Sequence, residues 1–303
     1  MSPLISRDIP AASHLLGDVL GLPVTTCPTE DGAVSVFGVG EAALALFAPG
    51  DRFVDGETRT GLHHIGLDAG DLDAGDLDVG GLMPAVATSD APRFGLGGGI
   101  RQALSTAATV GVRVFLTGPL DIARGGSSRI ERIDHLGIAS ADNQTAIATF
   151  SGRMGLPVES QQTDVEVETA IESFTSDKYG IVYHTRPPRV VGGLRVAFLT
   201  AGDCELEFLQ NFDASHGADL RHGAAGNTRQ DQGAITKFIA AHGAGLHHVA
   251  LKTPDIDATL GALGRSGARM IDTVGRPGSR RARIGFIHPG SFGGVLFHLV
   301  QRD

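Results

Sequence analysis

Short apolar runs bounded by glycine, proline and aspartate recur along the whole chain, and amphipathic stretches separate some of them. Such runs are typical of β-strands joined by tight turns. The amphipathic stretches predict helices over residues 10–20, 143–154 and 256–266. The apolar runs predict strands near residues 1–7, 23–28, 33–38 and 42–48 of the first segment and near 268–274, 282–288 and 294–300 of the last.

The pattern is duplicated. Residues 61–67 read GLHHIGL and residues 245–251 read GLHHVAL, while GLPV follows a helical stretch at both 21–24 and 155–158. Further matches pair residues 204–208 with 42–46 and residues 293–297 with 110–114. We therefore predict two homologous halves, residues 1–123 and 130–303, joined by the small polar segment GGSS.

Each half divides again into two units with the order strand, helix and three strands. This order of elements resembles that of the vicinal oxygen chelate superfamily. Three segments carry the resemblance in sequence: IDHLGIAS at 133–140, GLHHVALKTPDI at 245–256 and HPGSFGGVLFHLVQ at 288–301. That superfamily includes glyoxalase I, methylmalonyl-CoA epimerase and the extradiol dioxygenases. The three segments are most similar in sequence to methylmalonyl-CoA epimerase. Residues 234–251 are also similar to the hydroxyphenylpyruvate dioxygenases. The resemblance implies an α+β fold of four βαβββ modules, paired into two domains with cupped mixed β-sheets.

Composition narrows the class of protein. The formal net charge is −9 and no basic cluster occurs, so we expect no nucleic-acid partner. No apolar run is long enough to span a bilayer, and no secretory signal precedes the first strand, so we expect a cytoplasmic protein without a membrane partner. Cys27 and Cys204 lie in different halves, which predicts two buried, reduced thiols. A homodimer is a further expectation.

Two long insertions, over residues 161–193 and 211–232, occur only in the second half. Long loops on a rigid scaffold often carry specificity, so we place the function in that half. In the first half, AGDLDAGDLD at 69–78 offers carboxylates and glycines, but its spacing matches neither an EF-hand nor a calcium-binding β-roll. It predicts a solvated acidic turn that leads into a helix.

Four side chains at matching places in the last two modules predict a metal site. His135 and His248 lie on the first strands of their modules, and Glu207 and His298 lie on the last strands. Alternate strand residues share a face, and the apolar neighbours would take the opposite one. Three imidazoles and a carboxylate suit one divalent ion per chain, namely Zn²⁺, Co²⁺, Ni²⁺, Mn²⁺ or Fe²⁺. We expect His247 to point away and to serve packing or a hydrogen bond behind the ligands.

The superfamily usually carries a glutamate where this chain has His298, which leaves Glu207 as the carboxylate at the predicted site. The matching positions of the first half are Met1, Ala45, His64 and Phe115. A single histidine cannot hold a metal, so we interpret the first half as a degenerate domain without a metal site.

The predicted site favours a metal-dependent epimerase or isomerase that acts on a small-molecule substrate. The ion would stabilise the enolate formed when a base removes the proton next to a carbonyl, and Glu207 is the predicted base. Tyr183 and His184, in the longer insertion, are candidates for the proton donor on the opposite face. The substrate could be a 2-oxo or 2-hydroxy compound, a cyclitol ketone such as 2-epi-5-epi-valiolone, or an acyl-CoA. The alternatives are a non-haem iron dioxygenase acting on a ring or a 2-oxo acid, a glyoxalase-type lyase, and a ligand-sequestering resistance protein.

Overall fold

The computed structural model describes residues 1–68, 93–168, 171–212 and 234–302. Nineteen strands and four α-helices lie in these ranges. The strands of the first half are β1 (Ser2–Ile5), β2 (Val24–Thr29), β3 (Gly32–Val39), β4 (Ala42–Phe47), β5 (Gly61–Leu62), β6 (Ile65–Asp68), β7 (Arg93–Phe94), β8 (Ile100–Ala103) and β9 (Val114–Thr117). Those of the second half are β10 (Arg132–Ala139), β11 (Val158–Glu168), β12 (Ile171–Ser176), β13 (Gly180–Thr185), β14 (Arg189–Ala201), β15 (Cys204–Phe212), β16 (Gly245–Lys252), β17 (Arg276–Pro277), β18 (Arg283–Ile287) and β19 (Phe297–Gln301).

The helices are α1 (Ile9–Ser13), α2 (Asn143–Ile147), α3 (Ala234–His242) and α4 (Ile256–Arg265). An aspartate caps α1, α2 and α4, and in each case its carboxylate accepts a backbone N–H of the first turn at 3.0 Å. This capping satisfies backbone groups that a helix start leaves unpaired. Both α1 and α2 continue as a π-helical turn that ends before a left-handed glycine, Gly21 or Gly155. Among the described residues no helix is both long and apolar enough to cross a membrane.

The second half is built on one mixed sheet of eight strands in the order β11-β14-β15-β10-β16-β19-β18-β17. Strand β16 joins its two modules because it pairs with β10 on one side and β19 on the other. In the first half the corresponding segment is interrupted at His63 and His64. There β5 closes a five-stranded sheet and β6 begins a separate four-stranded sheet. One apolar core packs residues of both halves together, from Leu4 and Leu16 to Phe208 and Leu260.

The predicted α+β class with mixed sheets is confirmed. The first, third and fourth modules each show a strand, a helix and three strands of a sheet, and the third also contains the separate hairpin of β12 and β13. The helix predicted for the second module, together with the acidic repeat at 69–78, lies outside the described residues, as does most of 211–232. The division into domains at residues 123 and 130 stays a prediction. Cys27 and Cys204 are buried and free.

The strand predicted near residues 268–274 is wrong. Only a single bridge, Met270 to Ile287, forms there, and β17 lies further along the chain. The Asp272 carboxylate accepts the Phe286 N–H at 2.9 Å, so a side chain takes the place of a backbone ladder partner.

Candidate metal centre

The four predicted ligands lie on the four central strands of the eight-stranded sheet. Glu207 belongs to β15, His135 to β10, His248 to β16 and His298 to β19, and these strands are neighbours in that order. Residues opposite one another on paired strands project from the same face of a sheet. The order of the strands therefore brings side chains far apart in the sequence onto one patch.

Strand register arranges the ligands in two cross-strand rows. In the first row Gly137 lies between Glu207 and His248. In the second row Ala250 lies between His135 and His298. Each row thus alternates a small residue with two ligand side chains. This alternation leaves space for the imidazoles above the sheet.

Gly137 is required sterically in this arrangement. A Cβ atom at this position would lie 2.1–2.5 Å from ring atoms of His248, closer than non-bonded atoms approach. The imidazole of His248 therefore lies directly over the Gly137 backbone. Sequence reasoning missed this residue, although a glycine inside a strand signals close approach of another group.

The ligand atoms converge. His135 Nε2 lies 3.4 Å from His248 Nε2 and 3.2 Å from His298 Nε2. Glu207 Oε2 lies 3.2 Å from His135 Nε2 and 3.5 Å from His248 Nε2. Among the described residues, the group whose ligand atoms all lie within 4.8 Å of one another comprises the three histidines. Glu207 contacts two of them, and its role as a fourth ligand stays a prediction.

These residues fit a divalent metal ion. His135 Nδ1 donates to Asp134 Oδ2 at 2.9 Å, so in the neutral ring the lone pair is on Nε2. His248 Nδ1 likewise has a partner, His247 Nδ1 at 2.9 Å. Nitrogen lone pairs that meet at such distances repel one another unless a proton or a cation lies between them. Neutral imidazole nitrogens beside a carboxylate form a donor set that divalent transition metals prefer.

Two β-bulges supply the groups behind these ligands. The pairing of β10 with β16 shifts between Ile133 and His135 and again between Gly137 and Ile138. The first shift leaves Asp134 as an extra residue, and the second leaves His247. Each extra residue hydrogen-bonds Nδ1 of the ligand histidine that follows it. Bulges are common beside active sites because they redirect side chains in this way.

The expectation for His247 is therefore wrong in its direction and right in its hydrogen bond. Its ring lines the same cavity as the ligands, because the bulge breaks the strict alternation of faces on which the expectation rested. The expected hydrogen bond behind the ligands is present. Burial, reinforced by the neighbouring His248, lowers the pKa of His247 to about 3, so this ring is neutral.

The charges at the centre are strongly coupled. Burial opposes ionisation of His135, but the carboxylates of Glu207 and Asp134 outweigh it and raise the pKa of His135 to about 9. Burial also opposes ionisation of Glu207, yet His135 and His248 hold its pKa well below the usual range. The pKa of His298 is lowered far by burial and by its two histidine neighbours. Its Nδ1 is buried without a hydrogen-bond partner among the described residues.

The centre opens into a cavity of about 400 Å³, as bounded by the described residues. Small-molecule sites are typically of this size and largely apolar. Val196, Phe198 and Ile284 are among the apolar residues of its walls. Arg276, Arg280 and Arg302 also line it, and sequence reasoning identified none of them.

Tyr183 and His184 are not brought to this cavity. They lie on the hairpin formed by β12 and β13, where Tyr183 is 67% exposed, and neither lines the cavity wall. A different carboxyl group lies closer. Asp164, on β11, accepts a hydrogen bond of 3.1 Å from the Ser279 hydroxyl, and Ser279 lines the cavity. Burial raises the pKa of Asp164, and the charge of Glu207 adds to this effect. The sequence signal available for Asp164 was the alternation of faces along β11, which assigns every second residue to the same side of the sheet.

The chain is similar in sequence to a known family and to a curated protein. The sequence model of the glyoxalase/bleomycin resistance protein/dioxygenase superfamily matches residues 134–286, about half of the chain. The uncharacterized protein YqjC of Bacillus subtilis (strain 168) is 25% identical over 172 residues, which cover 57% of this chain and 93% of YqjC.

Two solved structures are similar as well. Methylmalonyl-CoA epimerase from Mycobacterium tuberculosis is 24% identical with a TM-score of 0.39, and the match covers 59% of this chain and 92% of the epimerase. A hypothetical protein from Bacillus halodurans is 23% identical with a TM-score of 0.38, over 57% of this chain and 94% of that protein. From the family match over residues 134–286, the chain belongs to the glyoxalase/bleomycin resistance protein/dioxygenase superfamily, that is, to the vicinal oxygen chelate proteins.

Proposed function

We propose that the protein is a metal-dependent epimerase or isomerase. It would remove a proton from the carbon next to a carbonyl of a small oxygenated substrate. The observation that supports this most directly is the convergence of three histidine Nε2 atoms beside the Glu207 carboxylate, at the floor of a cavity. His135, His248 and His298 would hold the ion, with Glu207 as the fourth group. A bound divalent ion would supply Lewis-acid stabilisation of the charge that develops on the substrate oxygen.

Glu207 is the proposed base. Its pKa is held well below the usual range against the effect of burial, so the carboxylate is ionised at neutral pH. Because a low pKa also weakens a base, the proton transfer would depend on the acidity that a bound ion gives to the substrate C–H. It faces the cavity from the row that also contains His248. A positioned carboxylate at this point would take the proton from a substrate carbon bound over the histidines.

Epimerisation also requires a donor on the other face of the substrate carbon. Asp164 and Ser279 are proposed for this role in place of Tyr183 and His184. The Asp164 pKa is raised chiefly by burial, which favours the protonated acid. The Ser279 hydroxyl, 3.1 Å from Asp164 Oδ2 and on the cavity wall, would give its own proton to the substrate carbon and take the proton of the Asp164 carboxylic acid, which leaves Asp164 ionised.

Exchange of the substrate α-hydrogen with deuterated water tests the proposal. The metal-loaded protein would be incubated under strict anaerobiosis with oxo acids, hydroxy acids, cyclitol ketones and acyl-CoA esters, and exchange would be followed by NMR. Glu207→Gln should retain the metal while the exchange rate falls by about 100-fold or more, the usual scale for loss of a general base. Asp164→Asn should slow inversion more than exchange. Oxygen consumption that tracks product formation would instead identify a dioxygenase.

A further inference from the structure

Arg276 occupies an unusual position in the wall of the metal-centre cavity. Its Nε donates to both carboxylate oxygens of Asp272 at 3.1 Å. Its guanidinium carbon lies 5.3 Å from the centre of the Phe286 ring, and that ring stands edge-on to His298 at 4.6 Å. A single aromatic ring therefore separates the guanidinium from a ligand histidine.

One edge of this guanidinium has no acceptor within the part of the chain that the structure describes. Nη1 of Arg276 is buried and has no hydrogen-bond partner among the described residues. Asp272 cannot supply a further bond easily, because its Oδ2 also accepts the Phe286 N–H. A buried charged donor without an acceptor costs free energy. The Arg276 side chain is 19% exposed and lines the cavity, so a small turn of the guanidinium would bring Nη1 to an acceptor that binds there.

The other two arginines of the cavity differ in this respect. Arg280 contacts the carboxylates of Glu205 and Glu159, and its guanidinium stacks on Phe198 at 3.6 Å. Arg302 contacts Glu205 and Asp134. Each of these cations contacts two carboxylates, of which Glu205 is common to both, whereas Arg276 contacts Asp272 alone among the described residues. Arg276 is therefore the cavity cation with hydrogen-bonding capacity to spare.

We propose that Arg276 binds a carboxylate group of the substrate, at the end remote from the reacting carbon. The inference rests on the proposed function and narrows its substrate class to an acidic oxo or hydroxy compound, as opposed to a neutral cyclitol ketone. The planar guanidinium suits a carboxylate, which can accept two parallel N–H bonds. Because Asp272 already balances part of the Arg276 charge, a monoanionic carboxylate matches the subsite better than a doubly charged phosphate.

Matched oxo acids test this subsite without a turnover assay. The Co²⁺-loaded protein would be titrated by calorimetry and visible spectroscopy with the diacids α-ketoglutarate and α-ketoadipate. The monoacids α-ketovalerate and α-ketocaproate have the same chain lengths but lack the remote carboxylate. The diacid of the better-fitting length should bind about 10- to 100-fold more tightly than its monoacid, the range for a charge-assisted hydrogen bond. In Arg276→Gln this preference should disappear while the affinity for the monoacid stays within about twofold.

Two controls isolate the effect. Arg276→Gln combined with Asp272→Asn avoids an unpaired Asp272 carboxylate and should lose the same preference. Arg283→Gln removes an arginine that pairs with Asp257 on the exposed surface, and should keep it. Equal binding of diacid and monoacid to the unaltered protein would overturn the proposal, as would a preference that survives in Arg276→Gln or a failure of every diacid to bind.

Failure of the proposed function is detected separately, by the absence of α-hydrogen exchange, and failure of the metal site by the absence of Co²⁺ from the site that contains His135, His248 and His298. If Co²⁺ does not bind, the same pairs of acids would be titrated on the metal-free protein. An Arg276-dependent preference for the diacid would still support the subsite, and equal affinities would still refute it.

Discussion

The two halves of the molecule share a backbone register and differ in the side chains placed on it. In the second half Gly137 is opposite Glu207 and Ala250 is opposite His298. In the first half Pro3 is opposite Ala45 and Gly66 is opposite Phe115. The offsets are the same, so Ala45, His64 and Phe115 take the places of Glu207, His248 and His298.

Aromatic rings and an arginine fill the first half where the second half keeps a cavity. Phe115 packs on His64 at 4.4 Å. The Arg101 guanidinium lies 3.9 Å from the Phe53 ring centre and 4.6 Å from that of Phe115. Burial lowers the pKa of His64 well below its usual value, so its ring is neutral. The comparison teaches that substitutions at equivalent register positions, together with the division of the sheet at His63 and His64, separate a candidate metal centre from a packed core.

Removal of the equivalent histidines, His248 and His64, should produce the largest difference between the two halves. The unaltered protein should bind one divalent ion per chain, His248→Ala should bind almost none, and His64→Ala should still bind one. The reason is that His248 has two further histidines as neighbours, whereas His64 has none at its equivalent positions. Elemental analysis after dialysis against Zn²⁺ or Co²⁺ measures this directly.

Two ions per chain would contradict this expectation, and so would loss of the ion in His64→Ala. Because both histidines are buried, thermal unfolding of the two variants serves as the control for folding.

Much of the candidate centre could be predicted from the sequence, because the duplication is visible in the sequence. Repeat-equivalent positions identified His135, Glu207, His248 and His298, and alternation along strands placed them on one face. Asp134 and His247 could not be placed correctly, because a bulge depends on how two distant strands pair. The sequence of β10 does not show where β16 shifts against it.

Tyr183 and His184 show a second limit of sequence reasoning. Both lie on a strand, but within the described part of the chain that strand pairs with β12 alone and does not join the main sheet. Membership of a strand fixes neither the sheet nor the face. Arg276 was missed for a related reason, since its carboxylate partner and its cavity both depend on the irregular path between Met270 and β18.

A single methyl group added at Gly137 should weaken metal binding by the second half. Gly137→Ala should displace the His248 ring, because the new Cβ would lie 2.1–2.5 Å from it. We expect destabilisation by about 1–3 kcal/mol and a loss of metal affinity of roughly 100-fold or more. Gly152→Ala, where the new atom has no neighbour within 4 Å, is the matched control. Equal metal affinities in the two variants would show that the ring does not depend on Gly137 for its position.

A smaller loss of metal affinity is expected when Asp134, the hydrogen-bond partner of His135 Nδ1, is changed. Asp134→Asn retains an oxygen but removes the charge that orients His135 and makes it a stronger ligand. Metal affinity should fall by about 10- to 100-fold, as is usual for such a partner, without a change in the number of ions bound. Calorimetric titration with Zn²⁺ measures it, and Asp257→Asn, on the exposed surface, is the control. An unchanged affinity would mean that Asp134 serves only Arg132 and Arg302.

The smallest effect concerns Asp164, a carboxyl group that the second half holds at a cost in stability. Burial raises its pKa above the ordinary value of an aspartate, so its contribution to folding is most favourable below that ordinary value. The contribution is lost as pH rises through the higher folded pKa. Asp164→Asn can still accept the Ser279 hydrogen bond and should raise the melting temperature of the metal-free protein at neutral pH by about 1–2 °C.

The gain should shrink as pH falls and vanish by about pH 3, below the ordinary pKa of an aspartate, where the carboxyl is protonated in both the folded and the unfolded protein. Asp31→Asn, on the exposed surface of the first half, should show no such pH-dependent gain. Thermal unfolding of both variants at the two pH values decides the matter. A loss of stability in Asp164→Asn at neutral pH would mean that the ionised Asp164 stabilises the fold. Its pKa would then be lowered and not raised, which contradicts its proposed role as a proton donor.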